Sequence, residues 1–201
     1  MDLICLSKTF CDDVKKWASR SDVIFEYTTE GSRVEKKPVE TCKTNPTTGK
    51  ETCSSETKIF VYINNGAWNE LEVVRHIAHE VGHLESTVYK PKAKDVSKEV
   101  FVQSRLEEEG AAVMYNIKVQ REILVKGGEW KNIGVNCGMG DQTECFTRYE
   151  SIYNDYAAGK ISANTARKKI GDLRAVEATM SGPSYRKSLE DYWDSKNPST
   201  P

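Results

Sequence analysis

The chain contains 201 residues, of which 29 are basic and 30 acidic, so its formal net charge at pH 7 is −1. This balance argues against a nucleic-acid-binding protein, because such proteins draw affinity from an excess of Lys and Arg. The length is typical of one domain that buries its own core. Apolar residues make up only 38% of the chain and charged residues 29%, so we expect a modest core and a strongly solvated surface.

A helix and then a β-rich region are predicted for the first third of the chain. Residues 8–20 have apolar residues at helical spacing, and Ser7 precedes them as an N-cap. The β-rich region covers residues 22–66 and ends in the segment TKIFVYINN (57–65). The β-branched and aromatic residues of this segment predict the strongest strand of the protein. We expect the strands to form a small antiparallel sheet.

The remainder of the chain is predicted to be mainly helical. One helix starts near Trp68 and continues to about residue 86, and a longer one extends over about 95–125, where apolar residues recur at helical spacing. A cysteine-bounded loop at 129–145 leads to two short helices, at about 146–157 and 162–178. The predicted fold class is therefore α+β, as a single domain (1–201) with three parts: a β-rich part at 22–66, a helical part at 67–126, and a loop with a helical tail at 129–201.

The six cysteines fall into three couples that are close in sequence: Cys5 with Cys11, Cys42 with Cys53, and Cys137 with Cys145. None forms a Cys-x-x-Cys motif, which argues against a zinc knuckle and a thioredoxin-type redox pair. Six cysteines allow 15 connectivities, so local pairing is a preference. It is best supported for Cys42 and Cys53, because turn formers lie between them. We expect disulfides and an oxidising compartment; six reduced cysteines in a cytosolic protein are the alternative.

Export is not explained by the start of this sequence. Residues 1–15 lack the basic start and the continuous apolar core of a secretory signal, and no apolar run approaches the roughly 20 residues of a membrane span. We therefore expect no membrane span. We expect export through a signal outside this sequence, as part of a larger protein, or by a dedicated machine.

All three histidines lie within eight residues, at positions 76, 79 and 83. His79 and His83 frame a His-Glu-x-x-His pattern on a predicted helix, and residues four apart share one helical face. Both imidazoles can therefore reach one zinc ion, and Glu80 lies near enough to take a proton from the attacking water. The pattern predicts a metal site with Zn2+ as the cofactor and Glu80 as the catalytic base. Two solvated surface histidines are the alternative interpretation.

His76 does not complete this ligand set. It precedes His83 by seven residues, a rise of about 10.5 Å, whereas two ligands of one zinc ion lie roughly 3–4 Å apart. We expect His76 to be a neighbour of the site, and Arg75 and His76 to be candidates for substrate contact.

The third ligand must be a carboxylate or a cysteine, since no other histidine remains. The next predicted helix contains three consecutive acids, Glu107, Glu108 and Glu109, within an apolar pattern, and buried charges need a partner such as zinc. Glu109 lies on the apolar stripe and is the first choice; Glu108 is the second, and Glu107 is expected to face solvent. A solvated acidic patch is the alternative.

His79-Glu80-Val81-Gly82-His83 and, further along, Glu109-Gly110-Ala111-Ala112 resemble the motifs of zincin metallopeptidases of the gluzincin type. The resemblance implies that His79, His83 and Glu109 bind zinc and that Glu80 is the general base. One position departs from the thermolysin-like pattern, because Val113 stands where an Asp would orient the first histidine. No distant histidine is left to stabilise an oxyanion, so a Tyr or Arg must do so; the tyrosine candidates are Tyr115, Tyr149, Tyr153 and Tyr185.

The stretch Glu109-Gly110-x-Ala112, followed by Tyr115-Asn116 and Arg121-Glu122-Ile123, is also similar to metallopeptidase toxin domains of bacterial secretion effectors, including type VI effectors. This resemblance implies a toxin that is secreted or delivered to the periplasm, cleaves proteins or cell-wall peptides, and has a cognate inhibitor (immunity) protein. The zincin resemblance further implies that TKIFVYINN is an edge strand that aligns an extended peptide; an ordinary core strand is the alternative, and both can hold at once. A catalytically silent, zinc-stabilised binding module and an intracellular regulatory metallopeptidase remain alternatives.

Overall fold

The computed structural model describes residues 2–64, 69–137, 142–179 and 182–198. These residues form helices, a small sheet and one 3-10 turn (Glu129–Lys131), so the predicted α+β class is confirmed. The strands are β1 (Val23–Thr28), β2 (Arg33–Thr44) and β3 (Glu51–Asn64). The helices are α1 (Asp2–Leu6), α2 (Lys8–Ala18), α3 (Glu70–Glu85), α4 (Lys98–Gly127), α5 (Gln142–Ala157), α6 (Ala163–Val176) and α7 (Tyr185–Lys196).

The sheet is mixed rather than antiparallel, with the strand order β1-β3-β2. β2 and β3 form an antiparallel hairpin, whereas β1 pairs with β3 in parallel, with Val23 opposite Ile59. The short link from β1 to β2 passes the end of β3, where the Ser32 hydroxyl accepts a hydrogen bond from the Asn64 amide at 2.9 Å. Because the link crosses there, β3 takes the central place in the sheet.

The prediction that residues 57–65 form an edge strand is wrong. Residues 59–62 of β3 pair with β1 on one side and with β2 on the other. Val61 and Ile63 are buried in the same core as Val74 of α3. The backbone groups of this part of β3 are already used within the sheet, so an incoming peptide cannot pair with it.

The hairpin continues beyond β1 as a two-stranded ribbon, which we define as residues 38–57. Here β3 pairs with β2 alone, and every ribbon residue except Val39 is exposed. Cys42 and Cys53 lie opposite each other and form a disulfide. An isolated two-stranded ribbon has little stability of its own in water, so this disulfide holds its strands together.

Helix α4 is the central element of the helical part. Ile123, in its last third, belongs to a core that also contains α2, the sheet and α3. Leu106, near its start, packs in a second core with α7, and Ile117, in its middle, packs in a third core with α5 and α6. The side chains of α4 are therefore buried on several sides, and the position of α4 fixes its neighbours.

Several element boundaries differ from the predictions. Residues 2–6 form α1, and the aromatic tail forms α7, whose Leu189 and Trp193 pack against the start of α4. Helix α5 begins at Gln142, so Cys145 lies in a helix and not in the predicted loop. The predicted start of the metal-site helix near Trp68 falls outside the described residues, and the described helix begins at Glu70.

The three predicted cysteine pairs are disulfides, Cys5–Cys11, Cys42–Cys53 and Cys137–Cys145. No cysteine of the chain is left as a free thiol in the structure. In the described part of the chain, no helix is long and apolar enough to cross a membrane.

Candidate metal centre

Helix α3 holds the His-Glu-x-x-His residues in a fixed orientation. At its start, the Asn69 side chain accepts a hydrogen bond from the Glu72 amide, and the Glu72 carboxylate accepts one from the Asn69 amide. At its end, the Glu85 carboxylate accepts a hydrogen bond from Trp17 Nε1 at 2.5 Å. Both ends of the helix are thus tied down, and His79 in between is only 2% exposed.

Three of the predicted site residues converge. His79 Nε2 lies 3.4 Å from Glu109 Oε2, and His83 Nε2 lies 3.5 Å from Glu109 Oε1. The two imidazole rings are nearly perpendicular, with centroids 4.8 Å apart. One ligand atom from each residue lies within 4.8 Å of those of the other two.

These donor atoms fit a zinc ion. Two ligands held at about 2.0–2.1 Å by a tetrahedral ion lie about 3.3–3.4 Å apart, close to both histidine–glutamate separations. Glu109 Oε2 is buried and makes no hydrogen bond within the described residues, although buried carboxylate oxygens are normally hydrogen-bonded. The pair of imidazoles with one carboxylate is a ligand set found in catalytic zinc sites.

Glu108, the second choice for the third ligand, contacts the opposite side of the same imidazole. Its Oε1 lies 3.0 Å from His83 Nδ1, and its carboxylate also pairs with Lys90. Burial alone would raise the pKa of Glu108, but His83 and Lys90 hold it at about 2. Glu107 is half-buried and bonds within its own helix. Of the three consecutive acids, Glu109 is therefore the one that faces both Nε2 atoms.

Glu80 lies beside this cluster and is 2% exposed. Burial raises the pKa of its carboxyl to about 7, and its Oε2 makes no hydrogen bond among the described residues. A carboxyl group with a pKa near neutrality can both take up and release a proton during a reaction. His79 Nδ1 is likewise without a hydrogen-bond partner in the described ranges, which agrees with the apolar Val113 at the position where an Asp was missing from the sequence pattern.

The close contact between α3 and α4 depends on Gly82. A Cβ atom at this position would lie 2.8 Å from the Ala112 Cα atom and 2.9 Å from its carbonyl oxygen. The lack of a side chain at Gly82 therefore lets the histidine helix approach the glutamate helix.

Helix α6 also packs closely against α4, through two glycines. A Cβ atom at Gly171 would overlap the Leu106 carbonyl oxygen, and one at Gly110 would overlap the Arg167 carbonyl oxygen. Gly110 directly follows Glu109 in the chain, and Gly171 lies one turn before Arg174. The crossing therefore brings the last turns of α6 to the cluster of His79, His83 and Glu109, the candidate metal site.

Arg174 is the residue that this crossing delivers to the site. It is 2% exposed, and its Nε lies 3.5 Å from Glu109 Oε2. Its two terminal nitrogens donate hydrogen bonds to Glu177 Oε2 at 2.7 Å and to the Tyr185 hydroxyl at 2.8 Å. The Tyr149 hydroxyl donates to the same Glu177 carboxylate. Helices α4, α5, α6 and α7 are thus joined by one buried polar network beside the cluster.

Sequence reasoning did not single out Arg174 or Glu177, although α6 carries a signal for the first. Ala166, Ile170 and Arg174 recur every four residues and are all buried. An arginine on the buried stripe of a helix needs an acidic partner. That signal predicts a charged contact for Arg174, but nothing local identifies Glu109 as one of its partners.

The structure separates the four tyrosine candidates. The Tyr185 hydroxyl accepts a hydrogen bond from Arg174, whose Nε lies beside Glu109. Tyr115 donates its hydroxyl hydrogen to Asp13 at 2.7 Å, away from the cluster. The Tyr153 ring packs against the Arg121 guanidinium. Tyr149 donates its hydroxyl hydrogen to Glu177, as described above, and its hydroxyl also lies close to Arg174.

His76 is a neighbour of the site, as expected. Burial lowers its pKa to about 3, and the nearby charges of Arg75, His79 and Arg174 contribute to the lowering. A second group of metal-type side chains, Glu40 with Cys42 and Cys53, lies on the exposed ribbon. Its two sulfurs form a disulfide, so they offer no thiolate to a metal.

No protein-family model matches this chain, and no curated protein or solved structure is significantly similar to it.

Proposed function

We propose that this protein is a zinc-dependent hydrolase that cleaves peptide bonds. The observation that carries the proposal is the convergence of His79 Nε2, His83 Nε2 and a Glu109 carboxylate oxygen beside a buried Glu80. Two imidazoles and a carboxylate favour zinc over Ca2+ and Mg2+, which prefer oxygen ligands alone. A bound zinc ion would polarise the substrate carbonyl and lower the pKa of the attacking water.

Glu80 is the proposed general base. Its carboxylate takes a proton from the attacking water and, after the bond breaks, passes it to the nitrogen of the leaving amine. The burial of Glu80 and the pKa of about 7 support both halves of this role. Glu80 directly follows the proposed ligand His79 in the sequence, so its carboxylate lies close to the attacking water.

A peptide substrate is supported by the motif itself, because a helical His-Glu-x-x-His is typical of zinc peptidases. Residues 59–62 of β3 have a strand on both sides, which excludes pairing of the substrate with that part of the strand. Among the described strands, the outer edges of β1 and β2, and the edge of β3 that faces away from β2 in the ribbon, are left for an extended peptide.

The three disulfides support a working place outside the reducing cytosol. We therefore propose that the protein is secreted or acts in the periplasm. The resemblance of residues 109–123 to effector toxin domains supports the further proposal of a toxin with proteins or cell-wall peptides as substrates and a cognate inhibitor as partner. The same disulfides count against an intracellular regulatory peptidase.

The test compares the wild type with Glu80→Ala and His83→Ala, with Glu107→Ala as the matched acid control. Each protein is incubated with purified cell wall and with periplasmic protein extract, and the products are identified by mass spectrometry. The wild type and the control should cleave and hold zinc. Glu80→Ala should hold zinc without cleaving, and His83→Ala should lose both properties.

Cleavage by Glu80→Ala at the wild-type rate would contradict the assignment of Glu80 as the general base. A wild type that binds zinc but cleaves none of the substrates would instead support the catalytically silent binding module. A wild type that binds no zinc would contradict both functions.

A further inference from the structure

The hydroxyl of Tyr185 has an unusual set of partners. It accepts a hydrogen bond from an Arg174 terminal nitrogen at 2.8 Å. An arginine has no acceptor atom, so the tyrosine cannot direct its own hydrogen toward it. Within the described residues, that hydrogen has no protein acceptor. The hydroxyl is therefore held by one neighbour and remains able to donate to another group.

The Tyr185 hydroxyl is linked to the cluster of His79, His83 and Glu109 through Arg174. Arg174, which binds it, lies 3.5 Å from the Glu109 carboxylate. Burial raises the pKa of Tyr185, and the negative charges of Glu109 and Glu80 raise it further. The phenol consequently stays protonated at neutral pH and keeps its hydrogen for donation.

Backbone contacts also fix the position of Tyr185. Ser184 caps α7, so Tyr185 is its first residue, and the Tyr185 amide donates to the Glu177 carbonyl at 3.0 Å. Ala178 and Ser184 form a β-bridge just before the helix. The Tyr185 ring also lies over the Arg174 guanidinium, with a distance of 4.2 Å to the ring centroid.

We propose that Tyr185 is a catalytic residue that donates a hydrogen bond to the substrate carbonyl oxygen as it becomes an oxyanion, and that Arg174 is the positioning residue that orients it. This inference rests on the proposed peptide hydrolysis. Tyr185 completes the set of groups that the His-Glu-x-x-His motif and Glu109 leave unfinished.

The reaction step is balanced without further reagents. The oxygen of the attacking water forms a bond to the carbonyl carbon while its proton goes to Glu80. The π electron pair of the carbonyl moves onto its oxygen, where the Tyr185 O–H donates without losing its proton. When the carbon–nitrogen bond breaks, the pair returns to the carbonyl and the amine takes the proton from Glu80.

Arg174 acts through its planar set of donors. One nitrogen fixes the Tyr185 oxygen, a second binds Glu177, and the third lies beside Glu109. A lysine would keep the charge but cannot hold all three positions. Replacement by lysine should therefore release Tyr185 while leaving a cation at the site.

The experiment uses the full chain loaded with zinc and compares Tyr185→Phe, Arg174→Lys, the double variant, Glu80→Gln and a control, Tyr153→Phe. The substrate is the best-cleaved peptide of a library, and a phosphinic analogue of that peptide serves as the tetrahedral mimic. Values of kcat and KM, the affinity for the analogue and the affinity for zinc are measured for each protein. Zinc affinity is obtained by competition with a chelator.

Loss of one oxyanion donor typically lowers kcat by about 100-fold to 1,000-fold. We expect a loss of about this size in Tyr185→Phe, with KM changed less than about threefold and weaker binding of the phosphinic analogue. Zinc affinity should stay at the wild-type value, and Tyr153→Phe should behave as wild type. Tyr185→Phe should add little to Arg174→Lys, because coupled residues are non-additive.

A Tyr185→Phe protein that keeps wild-type kcat and analogue affinity, while Glu80→Gln is inactive, would overturn this inference and leave the proposed function standing. Additive losses in the double variant would overturn the positioning role of Arg174. A wild type without zinc-dependent hydrolysis would overturn the inference together with the proposed function.

Discussion

The Glu108 Oε1 atom lies 3.0 Å from His83 Nδ1, while the next residue, Glu109, lies 3.5 Å from His83 Nε2. Two consecutive carboxylates of α4 therefore contact the two nitrogens of one imidazole. This arrangement requires His83 to carry its hydrogen on Nδ1 when Nε2 serves as a ligand. The choice between the two glutamates thus becomes a division of roles, with one facing the metal cluster and the other orienting its histidine.

Replacement of Glu108 should weaken zinc binding without removing a ligand. A carboxylate that orients a ligating histidine typically contributes about 10-fold to 100-fold to metal affinity, and we expect a loss of this size in Glu108→Ala. The measurement is competition for zinc with a chromophoric chelator, with Glu107→Ala as the control. Equal zinc affinities in the two variants would contradict the orienting role.

Zinc should stabilise the folded protein. A ligand that binds only the native state at about 100 times its Kd adds about 2.7 kcal/mol to the free energy of unfolding. The midpoint of thermal unfolding should therefore rise when zinc is added and fall when a chelator removes it. His79→Ala should show neither change, and a zinc-dependent shift of wild-type size in that variant would place the ion elsewhere.

The glycine contact between α4 and α6 should be intolerant of a single methyl group. Gly171→Ala forces the Cβ atom against the Leu106 carbonyl oxygen, and overpacking of this kind typically costs about 1–3 kcal/mol. The exposed Lys169 of the same helix provides the control, since Lys169→Ala should change the free energy of unfolding by less than about 0.5 kcal/mol. Urea denaturation measures both values.

Activity gives a second measure of the same contact. Since α6 carries Arg174 to the cluster, any folded Gly171→Ala protein should also have a lower kcat than wild type. A variant with full stability and full activity would contradict the role assigned to the crossing.

Removal of the Cys42–Cys53 disulfide should loosen the ribbon and leave the rest of the protein folded. Ribbon residues are almost all exposed and contribute little to the cores. In a Cys42→Ser/Cys53→Ser variant, amide hydrogens of residues 38–57 should exchange faster and proteases should cut there. The thermal midpoint should remain close to that of wild type.

The matched control is Cys137→Ser/Cys145→Ser. These half-buried cysteines pack against the core that contains Ile117 and Ile170, so the thermal midpoint should fall in this variant. A larger fall in the ribbon variant than in this control would show that the ribbon supports the whole fold.

The residues of the candidate metal site could be predicted from sequence wherever the pattern of a single helix determines their position. His79, Glu80 and His83 follow from helical spacing, and Glu109 follows from its place on the apolar stripe of α4. The three disulfides were also predictable, because each joins cysteines that are near in sequence.

What escaped prediction depends on contacts between distant segments. The central position of β3 arises because the β1–β2 link crosses its end, a matter of chain path that alternating residues do not encode. Arg174 reaches the cluster because Gly110 and Gly171 let α4 and α6 cross closely, and Tyr185, on α7, is bonded to Arg174. The role of Glu108 depends on the rotation of α4 relative to α3, which the stripe of a single helix does not determine.

The three disulfides join cysteines only 6, 11 and 8 residues apart. When the oxidised chain unfolds, it therefore becomes an almost linear thread with three small rings, and none of the bridges ties the sheet to the helical part. Such a thread can be drawn out to nearly its full length and refold with all its bridges intact. The fold is thus regained by the packing of the helices and the sheet, with no exchange of disulfide partners.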